Sequence, residues 1–105
     1  MLEETDKVDM VVPRGDHLLL IITDAGITEN AEERASLFKQ KLLTYATYLD
    51  SPEFESDHPG MSRDRVSIKV MYRTPPPAEM QRVTSVTMRS TSLAVPVEFE
   101  HFPGR

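Results

Sequence analysis

The chain predicts an α+β domain, a four-stranded mixed sheet with one long helix and one shorter helix on one of its faces. Three observations carry that expectation. Leu18 to Ile22 is an unbroken apolar run of strand length, the pattern of a strand covered on both faces. Apolar residues recur at three- and four-residue steps from Ala31 to about Asp50, and Val66 to Tyr72 alternates apolar with polar. A length of 105 residues suits one hydrophobic core, so residues 1–105 are read as a single domain.

Residues 1–7 are polar and are expected to be disordered, since they carry little apolar area to offset ordering entropy. Val8, Met10 and Val12 alternate with Asp9 and Val11 as a first strand, and Pro13-Arg14-Gly15-Asp16 supplies turn residues. His17 to Asp24 is the second strand and the central one, pairing antiparallel with the first. Ala25-Gly26 breaks it. Thr28 or Asn30 then caps a helix, with Glu33 three positions after Asn30 in the capping-box spacing.

That helix runs to about Asp50, with Ala31, Ala35, Phe38, Leu42, Tyr45, Ala46 and Leu49 recurring as one apolar stripe. Glu29, Glu32 and Glu33 stand at its start and Lys39 and Lys41 further on, the favourable order against the helix dipole. Lys39 with Lys41, and Arg63 with Arg65, read as solvated basic pairs. Residues 51–64, with Pro52, Pro59 and Gly60, read as a long loop. Val66 to Arg73 is the third strand, ended by three prolines. Residues 78–91 follow a proline run, which suits a helix start, yet their serines and threonines support extended structure equally well. Val95 to Phe102 is the last strand, with Pro96 consistent with an edge.

Two helices cover one face of such a sheet, and strand–helix–strand units cross over right-handed to parallel neighbours. The other face takes Ser67, Lys69 and Arg73 from the third strand and Glu98 and Glu100 from the fourth, all content in water. The first two strands contribute Val11, Leu19 and Ile21, an apolar cluster unusual on a monomer's surface. Either a second copy of the chain or the 51–64 loop, with Phe54 and Met61, covers it.

The composition narrows function mainly by exclusion. Net charge is −5 with the acids spread along the chain, which opposes binding to phosphate backbones and anionic lipid, so neither a nucleic-acid nor a membrane partner is expected. The longest apolar run has five residues, too few to span a bilayer. The first residues are acidic and no signal-like apolar region follows, so a cytoplasmic location is expected. There is no cysteine, which excludes disulfides, thiolate catalysis and zinc–thiolate sites.

His17, His58 and His101 lack metal-ligand spacing, and no phosphate loop, nucleophile elbow or paired-carboxylate motif is present, so neither metal nor cofactor is expected. Asp24, at the carboxyl end of the central strand, is the one candidate binding residue, because open α/β sheets place ligands there. Turn and cap chemistry is the competing role for an aspartate in that position.

In the segments Val8 to Val11, Asp16 to Asp24, Leu37 to Tyr45, and Val66 to Val70 through Pro75-Pro76, the chain resembles an uncharacterised family of small bacterial proteins, a domain of unknown function. The likeness covers roughly residues 6–77. It implies the same β-β-α-β-α-β order and a bacterial cytoplasmic setting, and it assigns no functional residues. The chain departs from the family at Ile27, where an aromatic is usual, and in the weaker helix-forming stretch after the prolines.

The leading expectation is a non-enzymatic interaction domain that forms a homodimer through its first two strands and binds another protein. An acidic, immunity-type antagonist of a basic partner is the first alternative, steered by Glu29, Glu32, Glu33, Glu53, Glu55 and Asp57. A small-molecule site near Asp24 and the 51–64 loop is the second.

Overall fold

The computed structural model describes residues 1–90 and 95–102. Strands β1 (Met10–Arg14), β2 (His17–Asp24), β3 (Val66–Tyr72) and β4 (Val97–His101) form one sheet in the order β1-β2-β3-β4. β1 and β2 pair antiparallel, whereas β2 with β3 and β3 with β4 are parallel. Helix α1 (Ala31–Leu49) connects β2 towards β3, followed by a short helix α2 (Pro52–Asp57) and a 3₁₀ turn at Arg63–Arg65, and α3 (Ala78–Ser90) leads to β4. The expected mixed sheet and α+β class are those observed.

Leu18, Leu20 and Ile22 of β2 and Val66, Ile68 and Val70 of β3 are all buried on one face, together with Phe38, Leu42, Tyr45 and Leu49 of α1 and Met80 of α3. Phe38 meets Phe99 of β4 at 5.7 Å between ring centroids. Each fully buried Leu, Ile or Phe contributes about 1.5–3 kcal/mol, so this layer supplies most of the hydrophobic stabilisation. α1 begins where the capping box places it, with Asn30 Oδ1 accepting from the Glu33 amide at 2.9 Å.

Three local expectations change, and one that the sequence left open is decided. Residues 1–7 are not disordered: Leu2 is fully buried, its amide donates to the Thr23 carbonyl at 2.7 Å, and Thr44 Oγ1 donates to the Thr5 carbonyl. One buried leucine and a set of backbone acceptors tie down a segment that looked too polar to order. Pro13 and Arg14 belong to β1 rather than to the turn, which is the two-residue Gly15-Asp16 with Gly15 at φ 64°. Pro13 is tolerated because β1 is an edge strand.

The 51–64 stretch is largely structured. Ser51 caps α2 by accepting from the Phe54 amide, and Phe54 is buried edge-on against Tyr48 of α1, 5.4 Å between centroids. Finally, residues 78–90 are helical, while position 91 lies outside the described residues. The hydroxyl-rich sequence is accommodated because Thr84 and Ser85 bond back to the carbonyls of Met80 and Gln81, satisfying the hydroxyls without breaking the helix. Buried Met80 and Thr87 seat α3 in the core.

Candidate interaction surface

The strand register sorts the residues of the sheet between its two faces. Directly opposed residues point the same way, and Val11 pairs with Leu20, whereas Met10 pairs with Ile21 and Val12 with Leu19. Val11 therefore lies on the helix side and packs against the core, not beside Leu19 and Ile21 as the sequence suggested. The open face instead carries Met10, Val12 and Arg14 of β1, and His17, Leu19, Ile21 and Thr23 of β2. Ser67, Lys69 and Met71 come from β3, and Glu98 and Glu100 from β4. Met10 is 51% exposed, and Leu19 and Ile21 are half-buried.

Met10, Leu19, Ile21, Met71 and Phe102 line one shallow concavity of about 250 Å³ on this face. Its charges are mixed. Lys69 Nζ bonds to Glu100 at 3.3 Å, and the Arg73 guanidinium stacks 5.8 Å from the Phe102 ring. Arg14 and Glu98 are exposed and have no ion-pair partner among the described residues. No residue of 51–64 lines the concavity, so Phe54, part of one of the two covers the sequence offered for the apolar cluster, serves the covered side instead.

Asp24 is fully buried. Its Oδ2 accepts from Arg34 Nε at 2.9 Å and Nη2 at 2.8 Å, and its Oδ1 from the Gly26 amide at 3.2 Å. Arg34, 5% exposed, also donates to the carbonyls of Pro75 at 3.0 Å and Thr74 at 2.5 Å. The pair ties the end of β2 to the first turns of α1 and to the segment after β3. Gly26 sits at φ 78°, and a Cβ there would lie 2.8 Å from Thr74 Oγ1, so the turn beside Asp24 excludes any side chain.

A second buried pair has no counterpart in the sequence reading. Lys41, expected to be solvated, is fully buried. Its ammonium donates to Asp9 Oδ1 at 2.7 Å and to the carbonyls of Glu4 and Lys7 at 2.6 and 2.7 Å. Burial pushes the Asp9 carboxyl up, but hydrogen bonds from Lys41, the α-amino group and the Thr23 amide outweigh it and hold that carboxyl below its ordinary value. The Tyr45 hydroxyl accepts from the Asp9 amide at 2.8 Å and donates to the Ile21 carbonyl at 2.6 Å, and burial raises its pKa strongly. The available signal was spacing: Arg34 and Lys41 are seven residues apart, on the same face as Phe38 and Tyr45.

Of the remaining candidates, the acids Glu29, Glu32 and Glu33 stand at one end of α1 and Glu53, Glu55 and Asp57 beyond the other, all exposed. A helix of 19 residues is about 28 Å long, so these acids form two groups, not one patch. Beside the second group, burial first and then the Asp57 carboxylate, which accepts from its hydroxyl at 3.0 Å, push the Tyr48 pKa up to about 12. His17, His58 and His101 lie apart, and among the described residues no three histidines or carboxylates are grouped as metal ligands. Among the same residues, no helix is long and apolar enough to cross a membrane.

Neither a curated protein nor a solved structure matches the chain. A family profile does, over residues 1–101, nearly the whole length and well beyond the segments that carried the resemblance. By that match, the chain belongs to DUF6572, a family of unknown function.

Proposed function

We propose that the domain is a protein-interaction module that self-associates through the open face of its sheet. The observation that carries this reading is the contrast in saturation between the two faces. On the helix side the aliphatic residues of β2 and β3, Leu18, Leu20, Ile22, Val66, Ile68 and Val70, are all buried, while Met10, Leu19, Ile21 and Met71 remain partly exposed around one concavity. Contiguous apolar surface rimmed by polar residues marks interaction sites, and the two-copy solution is the commonest in soluble proteins.

The face is small. Four strands at about 4.8 Å spacing and six residues at about 3.4 Å give a footprint of roughly 400 Å² per copy, about half that of a standard specific interface and in the range of weak, transient contacts. A concentration-dependent dimer is therefore expected, populated in the tens to hundreds of micromolar. Light scattering and sedimentation across that range test the reading. Ile21→Arg should leave the fold intact and shift the population to monomer. A protein that stays monomeric at high micromolar concentration is not using this face on itself.

A further inference from the structure

We propose that the outer edge of β4 is a docking site for an extended segment of another protein in which Lys or Arg alternates with apolar residues. The site is independent of self-association through the open face. β1 and β4 are the outer strands of the sheet, and they end it differently. In the parallel β3–β4 ladder the Pro96 carbonyl accepts from the Ile68 amide at 2.9 Å, and the Phe102 amide donates to the Tyr72 carbonyl at 2.7 Å. By the two-residue period of a strand, Pro96, Glu98, Glu100 and Phe102 bond inward, and Val97, Phe99 and His101 turn their N–H and C=O groups outward. None of these outward backbone groups has a hydrogen-bond partner among the described residues.

The edge of β1 is closed by comparison. The pair flanking its two-residue turn, Arg14 with His17, is hydrogen-bonded, so Val11 and Pro13 face outward. Pro13 has no N–H, and the next outward amide, that of Asp9, donates to the Tyr45 hydroxyl at 2.8 Å. A proline on an edge is a device against strand pairing, and β4 carries none at its outward positions.

The side chains beside this edge specify what completes it. On the helix side Val97 and Phe99 are half-buried, although their register partners Ile68 and Val70 are fully buried, so one more apolar row would seal the margin of the core. On the open face Glu98 and Glu100 stand exposed. Lys69 of β3 bonds to Glu100 at 3.3 Å, and Glu98 has no ion-pair partner among the described residues. An added strand sets its alternate residues against these two rows, cations opposite Glu98 and Glu100 and apolar side chains opposite Val97 and Phe99. Backbone hydrogen bonds then supply affinity and the alternation supplies selectivity, as in other strand-addition sites. The net charge of −5 steers a cationic segment towards the chain.

The outer strands of a second copy do not meet this requirement. Antiparallel pairing of two β4 strands about Glu98, Phe99 or Glu100 sets glutamate opposite glutamate, and like charges directly opposite are destabilising. β1 brings one cation, Arg14, and lacks an outward amide at Pro13. The same two acids therefore repel another β4 and attract a cationic strand.

Peptide titration tests the site. An acetylated and amidated peptide with a Val-Lys-Val-Lys-Val core should bind at low ionic strength. It should protect the Val97, Phe99 and His101 amides from hydrogen exchange in NMR spectra and leave the Val11 amide unchanged. N-methylation of one alternating set of peptide residues should abolish binding and methylation of the other set should be tolerated, because only one set faces β4. Glu98→Lys should weaken binding about tenfold and bind a Val-Glu-Val-Glu-Val peptide more tightly than the wild type does, with a thermal melt confirming that the variant is folded. Absence of binding at millimolar peptide overturns the proposal, as does equal binding of a peptide of the same composition with its lysines grouped at one end. Binding that protects no β4 amide and instead shifts the Met10 and Met71 methyl signals puts the peptide on the open face and overturns the edge site. Self-association is read separately, by sedimentation of the chain without peptide.

Discussion

The two faces of one sheet handle charge in opposite ways. On the covered face two cations of α1, Arg34 and Lys41, are taken out of water, and each is met by a carboxylate and by two backbone carbonyls. On the open face the charges stand in water, and Arg14 and Glu98 have no ion-pair partner among the described residues. Desolvating an ion costs several kcal/mol unless its partners are in place. The covered face therefore has one workable arrangement, and the open face keeps its charges available to a second molecule. Stability resides on one side of the sheet, and recognition is proposed for the other.

Substitutions can break that division or sharpen it. Lys41→Met, which leaves the Asp9 carboxylate and two carbonyls without their donor, should cost about 3–5 kcal/mol in urea unfolding. A cost under 1 kcal/mol would mean that the covered face does not depend on this pair. Acidification probes the same contact without mutation. The folded Asp9 carboxyl titrates below its unfolded value of about 3.9, so its contribution is complete above about pH 4 and is lost as pH falls through the folded value. Wild-type stability should thus fall more steeply between pH 5 and pH 2 than that of Asp9→Asn, and parallel curves would remove Asp9 from the account.

Asn30→Ala removes one acceptor at the start of α1 and should cost about 1 kcal/mol, read as a lower urea midpoint at unchanged slope. Met10→Ser, on the open face, should stay within about 0.5 kcal/mol of wild type in dilute solution while raising the dimer dissociation constant. If Met10→Ser destabilises the monomer as much as Asn30→Ala does, the open face is carrying the fold, and the contrast between the faces fails.

Much of the covered face was legible because its signals are local. Asn30 with Glu33, the stripe through Phe38 and Tyr45, and the alternation of Val66, Ile68 and Val70 each depend on residues a few positions apart, and each falls where spacing put it. Lys41 was misread because a lysine's burial is decided by acceptors 32 to 37 positions away in the chain. Phe54 was misplaced because Pro52 reads equally well as a loop residue and as the first turn of a helix capped by Ser51. At the candidate surface, Leu19 and Ile21 follow from the doubly apolar β2. Val11 does not belong with them, and its facing was legible: whether the hairpin turn spans two residues or four, Val11 lies opposite an inward residue of β2, Leu20 or Leu18.

The Tyr45 hydroxyl bears on how that hairpin is decided. It bridges the Asp9 amide and the Ile21 carbonyl across the start of the β1–β2 ladder, at a place where a slip of one residue would turn Met10 inward and Val11 outward. Gly15 permits the turn, but a phenol from the helix closes the far end of the ladder like a latch. The nearest pairing in the chain is thus proofread by a residue 24 positions beyond Ile21. A folding route consistent with that geometry docks α1 before the outward pattern of β1 becomes final.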